Sequence, residues 1–219
     1  MSAFDVKKLQ SLKKNELIDI IKELKKEKDD LKADLLEKRS GMEERLETLE
    51  RSHFLYLQYG RRESVEIVGI PDTIEQKDLE KEVVKVYNEA NIKVHGMPLT
   101  QKDISACHRI GRKGKTIVRF VNRKHAIEGL INGRNLKGKT LYGSTPIFIN
   151  NSFCREFSYY GYVIRKLKWN NKIDGYKIKN GVYQVKTLGN VNFVEVSHFS
   201  DFSKMNLDIS DYPRLNRTN

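Results

Sequence analysis

The sequence predicts an α+β protein in three parts: a helical N-terminal segment, a central stretch where strands and helices alternate, and a small C-terminal α/β segment. Three observations predict it. Between residues 15 and 56 there is no Pro and a single Gly, and Leu, Ile or Met recurs at steps of three, four or seven. From Ser64 to Ile149 short β-branched runs alternate with helical periods. One amphipathic stretch then precedes Asn180-Gly181, the strongest short hairpin signal.

The first segment, 1–60, opens with a short helix over 4–13, with Val6, Leu9 and Leu12 on one face. Asn15 is the N-cap of a longer one. Its seam is Leu17, Ile21, Leu24, Leu31, Leu35, Met42, Leu46 and Leu49, with Lys28 and Lys38 on it and a stutter between Met42 and Leu46. A lone helix cannot bury such a stripe, so a coiled-coil oligomerisation segment is expected. At roughly 1.5 Å per residue the rod is about 60 Å long.

The second segment, 61–151, reads strand Ser64–Ile70, helix Gln76–Ala90, strand Asp103–Ile110, strand Lys115–Val121, a helix capped by Asn122 and running to Asn132, and strand Ile147–Ile149. Leu79, Val83, Val86 and Tyr87 face inward from the first helix; Ala126, Ile127, Leu130 and Ile131 do so from the second. The order β-α-β-β-α-β is that of a ferredoxin-like sheet with both helices on one face. Arg119 lies inside Ile117-Val-Arg-Phe120, so one face of that strand is open. Alternation sends Thr116, Val118 and Phe120 to the helices, and Lys115, Ile117 and Arg119 to the open face beside Glu66.

The third segment, 152–206, begins with a helix from Cys154 to Trp169 whose inner stripe is Phe157, Tyr160, Val163, Ile164 and Leu167. Strands Tyr176–Lys179 and Val182–Lys186 flank the hairpin turn, a strand follows over Val191–Val196, and a short helix over His198–Met205. The polar tail, 207–219, is expected to be flexible.

Charge sets the class of partner. Residues 1–60 hold 13 basic and 13 acidic side chains, so the remainder carries the net +12; within 102–186 the count is 19 basic against 4 acidic. Such a field favours a polyanion. Two cysteines give no disulfide framework and point to a reducing, intracellular setting. No signal-peptide h-region, no apolar run near the roughly 20 residues of a membrane span and no basic amphipathic anchor helix stands out, so no membrane partner is expected. Gly114-Lys-Thr116 is not a P-loop, because Gly111 leaves two residues between the glycines and a strand follows. Cys107-His108 lacks a second pair at ligand spacing. No nucleophile–base pattern is visible, so neither catalysis nor a metal or cofactor is expected.

Lys113-Gly-Lys-Thr-Ile-Val-Arg-Phe120 fits the third-strand pattern K/R-G-F/Y-G/A-F-V-x-F/Y at Lys113, Gly114, Val118 and Phe120. It departs at the two base-stacking positions, Lys115 and Ile117, and Glu66 holds the equivalent place on the first strand. With no ring for stacking, binding on this sheet would be led by phosphate; a merely structural Arg119 would pair with Glu66. Candidate contacts here are Arg109, Arg112, Lys113, Lys115, Arg119, Arg123, Lys124, Arg134, Lys137 and Lys139. In the third segment rings interleave with cations, as suits a single strand. Arg155, Tyr159, Arg165, Lys166, Lys168, Lys172, Lys177, Lys179 and Tyr183 are the candidates, with at most half of the rings serving the site and the rest a small core.

Arg61-Arg-Glu-Ser-Val-Glu-Ile-Val-Gly-Ile-Pro71, Cys107-His-Arg-Ile-Gly111, Ile117-Val-Arg-Phe120, Leu136-Lys-Gly-Lys139, Leu167-Lys168 and Lys179-Asn-Gly-Val-Tyr183 follow one another in a telling order. That order resembles the RNA-binding first-open-reading-frame protein of LINE-type, or non-LTR, retrotransposons and the related baculovirus few-polyhedra (FP) protein. The resemblance implies a homotrimeric coil, a central RNA-recognition fold and a C-terminal domain that together clamp single-stranded RNA, with DNA as a second ligand. It implies a nucleic-acid chaperone that coats its transcript as a cytoplasmic ribonucleoprotein, also present in the nucleus, and has no catalytic site. Arg119 carries over into the groove. Mammalian members have an arginine pair early in the C-terminal helix; here Phe157-Ser158 stand there, with Arg155 nearby. Two other classes stay open: a viral assembly factor of few-polyhedra type, and a domesticated adaptor that binds protein on its sheet.

Overall fold

The computed structural model describes residues 14–111, 115–139 and 141–212. The short helix expected over 4–13 lies outside them. The protein is α+β, with one long N-terminal helix and antiparallel sheets. Helix α1 (Lys14–Tyr59) runs 46 residues without interruption. Pairs such as Lys38–Asp34 and Arg39–Glu43, both at 2.8 Å, lace its surface. Both are exposed, so solvent screens them and they contribute little. Ile21, Leu24, Leu31, Leu35, Met42, Leu46 and Leu49 are all more than half exposed in the single chain.

Two compact units divide the chain, residues 1–50 and 51–219. The expected boundary at residue 60 therefore moves back into α1, because its last turns supply side chains to the larger unit. Phe54 and Leu55 pack against the C-terminal core. The Gln58 amide is buried; it donates to the Ser152 carbonyl and accepts from the Cys154 N–H, both at 3.0 Å. The Arg51 guanidinium grips the Asp201 carboxylate through two bonds of 2.8 and 2.7 Å.

Within the larger unit, β1 (Ser64–Val68), α2 (Leu79–Glu89), a two-residue hairpin of β2 (Lys93–Val94) and β3 (Met97–Pro98), β4 (Ile104–Ile110), β5 (Lys115–Phe120), α3 (Arg123–Asn132) and β6 (Phe148–Asn151) follow in order. The four longer strands form an antiparallel sheet in the order β4-β5-β1-β6. Val65, Ile67, Val118 and Phe120 from the sheet meet Leu79, Val83, Val86 and Tyr87 from α2 and Ala126 from α3, all fully buried. Thr116 is buried on the same face, as alternation requires. The Asn122 side chain caps α3, accepting from the Lys124 N–H at 2.9 Å. The expectation about α3 holds for Ala126, which is buried, and Leu130, which packs on the core, but fails for Ile127 and Ile131, 37% and 54% exposed; His125 and Gly129 are buried instead. Gly129 sets that phase. A Cβ there would stand 2.2 Å from the Tyr87 hydroxyl oxygen, so α2 and α3 touch ring against bare backbone.

A second core belongs to α4 (Arg155–Trp169), to a sheet of β7 (Ile173–Lys179), β8 (Val182–Thr187) and β9 (Val194–Val196), and to α5 (Ser200–Lys204). Phe157, Tyr160, Val163, Ile164 and Leu167 form its helical stripe, none more than 2% exposed. Asn180 and Gly181, at φ of 54° and 80°, make the tight turn between β7 and β8 that favours left-handed residues. Residues 207–212, expected to belong to a flexible tail, are packed. Ile209 is buried, Leu207 and Tyr212 pack on this core, and the Tyr159 hydroxyl donates to the Tyr212 carbonyl at 2.5 Å. The polar sequence hid three apolar anchors spaced two and three residues apart; residues 213–219 lie outside those described.

Gly161 repeats the ring-on-glycine contact: its missing Cβ would stand 2.0 Å from the Tyr183 hydroxyl oxygen. Gly161→Ala should therefore cost about 1–3 kcal/mol in urea unfolding. Adding Tyr183→Phe, which removes the obstructing oxygen, should recover part of the loss. An unchanged midpoint in the single variant would refute the close contact.

Candidate nucleic-acid interface

Strand pairing turns the helix-free face of the larger sheet into three rows. They are Ile110, Lys115, Val68 and Phe148; His108, Ile117, Glu66 and Asn150; and Ala106, Arg119 and Ser64. Lys115, Ile117, Arg119 and Glu66 thus share a face as alternation predicts. Its two cations already have carboxylates. Lys115 pairs with Glu66 at 2.9 Å and Arg119 with Glu63 at 3.2 Å. The pairing with Glu66 that a merely structural Arg119 would make is not the one formed: Lys115 takes Glu66, and Arg119 takes the acid preceding β1. The Arg119–Glu63 pair is exposed on both sides and worth about 0–1 kcal/mol, whereas the Glu66 carboxylate is only 15% exposed. The expectation of a ring-free face is also corrected. Phe148 lies on it, 54% exposed, and His108 at its edge. Ile147-Phe-Ile149 is too short to set its own phase; the pairing of Ile149 with Ile67 sets it.

The other cations expected in this segment scatter. Arg109 turns away and donates to the carbonyls of Ile70, Pro71 and Ile74 and to Asp72, pinning the loop after β1. Arg123 and Lys124 begin α3, and Arg134, Lys137 and Lys139 follow it, on the covered side of the sheet. Lys139 is paired with Glu89 at 3.1 Å, and the Lys124 ammonium sits 2.8 Å from the His95 ring. Arg112 and Lys113 lie outside the described residues. Cys107 packs into the core while His108 points to the opposite face, so the two cannot share an ion. Burial pushes the Cys107 thiol up to about 12, which leaves it protonated and unreactive.

The C-terminal core presents a different surface. α4 exposes Arg155, Tyr162, Arg165, Lys166, Lys168 and Trp169; Lys172 follows, then Lys177 and Lys179 on β7. Among the described residues none of these seven Lys and Arg has a carboxylate within 4.0 Å. Residues 152–186 hold eight basic and two acidic side chains, so the excess stays uncompensated. Lys166 and Lys168 fall in the last turn of α4, where the helix dipole favours cations. The Lys166 ammonium lies 6.0 Å from the Tyr162 ring centre, and that of Lys177 lies 4.1 Å from Phe193.

The rings divide into core and surface. Tyr160 and Tyr183 are buried, and the Tyr159 hydroxyl is held by Tyr212. Tyr159 and Tyr183 are therefore corrected from ligand contacts to packing residues. Tyr183 stacks on Phe153 with ring centres 4.9 Å apart. Burial pushes its hydroxyl up to about 12 against the opposing pull of Arg165, and Glu66 is near enough to add to the rise. Trp169, Tyr162, Phe193 and Tyr176 are the exposed rings, at 85%, 38%, 39% and 37%. The sequence already marks the first two as rings among cations, and the helical period puts Tyr162 and Trp169, seven residues apart, on the face away from the stripe. Phe193 carried no such signal, since only the folded loop before β9 brings it beneath Lys177.

No family model matches the chain, and no curated protein matches it. No helix among the described residues is long and apolar enough to cross a membrane.

Proposed function

We propose that this protein is a non-catalytic single-stranded RNA-binding protein that oligomerises through α1 and coats its transcript as a nucleic-acid chaperone, as its resemblance to the first-open-reading-frame proteins of LINE-type elements implies. The observation that carries the reading is the surface of α4 and β7, where seven cations without acidic partners lie among exposed rings. Such a surface attracts phosphate over a distance and offers π-faces at contact. The strand order β4-β5-β1-β6 and the packing of α2 and α3 against one face support a ferredoxin-like, RNA-recognition-type sheet. The exposed seam of α1 supports a coiled coil, with a homotrimer as the assembly.

Titrating the full chain with single-stranded RNA at two salt concentrations tests this. Affinity should fall steeply with salt, with a slope of about −0.7 per phosphate neutralised. Binding that is absent, or indifferent to salt, would refute it. Arg119→Ala should weaken all RNAs alike and make the slope shallower by about 0.7, with little change in melting temperature because its Glu63 pair is exposed. If affinity and slope both stay as they were, the sheet contributes no phosphate contact through this residue.

A further inference from the structure

We propose that the outer face of α4 holds unpaired nucleobases, with Trp169 and Tyr162 as the stacking platforms; the proposal rests on the RNA-binding reading and says where bases, as distinct from phosphates, are gripped. Arg155, Tyr162 and Trp169 recur at steps of seven, which returns each to the same side of an α-helix. Seven residues separate the two rings by about 10.5 Å along the axis. Arg165 and Lys166 stand between them at three and four residues from each ring, so cations and π-faces alternate along one line.

Two observations favour a strand of unpaired bases as the occupant. Trp169 is 85% exposed at the end of a helix whose inner stripe is complete without it. A bare indole among Lys166, Lys168 and Lys172 serves no packing purpose, while its charged neighbours suit a polyanion and not an apolar protein surface. The larger sheet, in turn, has Lys115, Ile117 and Glu66 where stacking rings belong, and both of its open-face cations are already paired. The exposed Phe148 ring lies outside those positions, and the rings that alternate with cations are on the neighbouring helix. A base on either ring is held by its π-face alone, so the grip tolerates sequence but requires the base to be unpaired.

Trp169 is the only tryptophan, so its fluorescence reports its own surroundings. The full chain is titrated with a uridine homopolymer, with an abasic strand of equal length, and with a duplex. The homopolymer should quench Trp169 emission; the abasic strand and the duplex should bind with little quenching. Measured by anisotropy of labelled strands, Trp169→Leu should weaken the homopolymer by roughly 5–150-fold and leave the abasic strand unchanged, and Trp169→Phe should restore most of the loss. Its exposure makes unfolding by these changes unexpected, and circular dichroism checks that. Binding of the homopolymer without quenching, or equal affinity in Trp169→Leu, overturns the inference while RNA binding stands. Failure of the unaltered chain to bind either strand overturns the RNA-binding reading, and this inference with it.

Discussion

Replacing Leu31 and Leu35 with Asp should yield a monomer whose affinity for a long single-stranded RNA is lower by roughly 10²–10⁴-fold than that of the unaltered chain. Both side chains are more than half exposed in the single chain, 56% and 65%, so the change removes no contact within it. In an oligomer they would lie on the buried seam, where each Asp would carry an unpaired charge out of water. The loss of affinity comes from losing joint attachment: three tethered binding surfaces on one strand dissociate together far more slowly than one alone. For a short oligonucleotide that reaches a single surface, affinity should hardly change. Light scattering gives the mass and anisotropy the affinity. A monomeric mass for the unaltered chain would end the coiled-coil proposal.

Asp201→Ala should destabilise the 51–219 unit by about 3 kcal/mol. The carboxylate accepts two bonds from Arg51 and the N–H groups of Ser197 and His198, the latter two at 2.9 Å, in a site where Asp201 is 7% exposed. Its removal takes the carboxylate from the guanidinium, which keeps the Ser197 hydroxyl, and leaves two backbone donors without this acceptor. The pH dependence has a definite sign. Burial pushes this carboxyl up, but the Arg51 guanidinium and the two N–H groups outweigh it and hold it below the ordinary carboxylate range. A group depressed on folding contributes fully above its unfolded value, about 3.9, and loses that contribution as pH falls through its folded value. The gap between unaltered chain and variant should be constant near neutrality and shrink only below about pH 4. Urea unfolding along a pH series measures it. A gap that widens toward acid would refute the assignment.

Much of the fold was legible because periodicity is local. The α4 stripe of Phe157, Tyr160, Val163, Ile164 and Leu167, the α2 face from Leu79 to Tyr87 and the Asn180-Gly181 turn each follow from residues close in sequence, and each is where the pattern puts it. Patterning failed where a contact with a distant residue sets the phase. α3 turned its Ile127 and Ile131 outward because Tyr87 lies over Gly129, and a glycine carries no hydropathy to announce that. Phe148 reached the open face because Ile149 pairs with Ile67.

The site divides along the same line. Charge is additive along the chain, so the sequence alone determined that residues 102–186 hold 19 basic against 4 acidic side chains, the field on which the proposal of a polyanionic partner rests. It also determined that α1 carries a stripe no single helix can bury. Which cations remain available was decided by tertiary structure. Glu66, Glu63 and Glu89 neutralise Lys115, Arg119 and Lys139 from strands and helices far away in sequence, and Arg109 is spent on loop carbonyls. Which rings remain available was decided there too: Tyr183 is buried over Gly161, while Trp169, two helical turns beyond Tyr162, meets water. Composition counts groups, but Coulomb attraction and stacking depend on distance and exposure, and only the folded chain sets those.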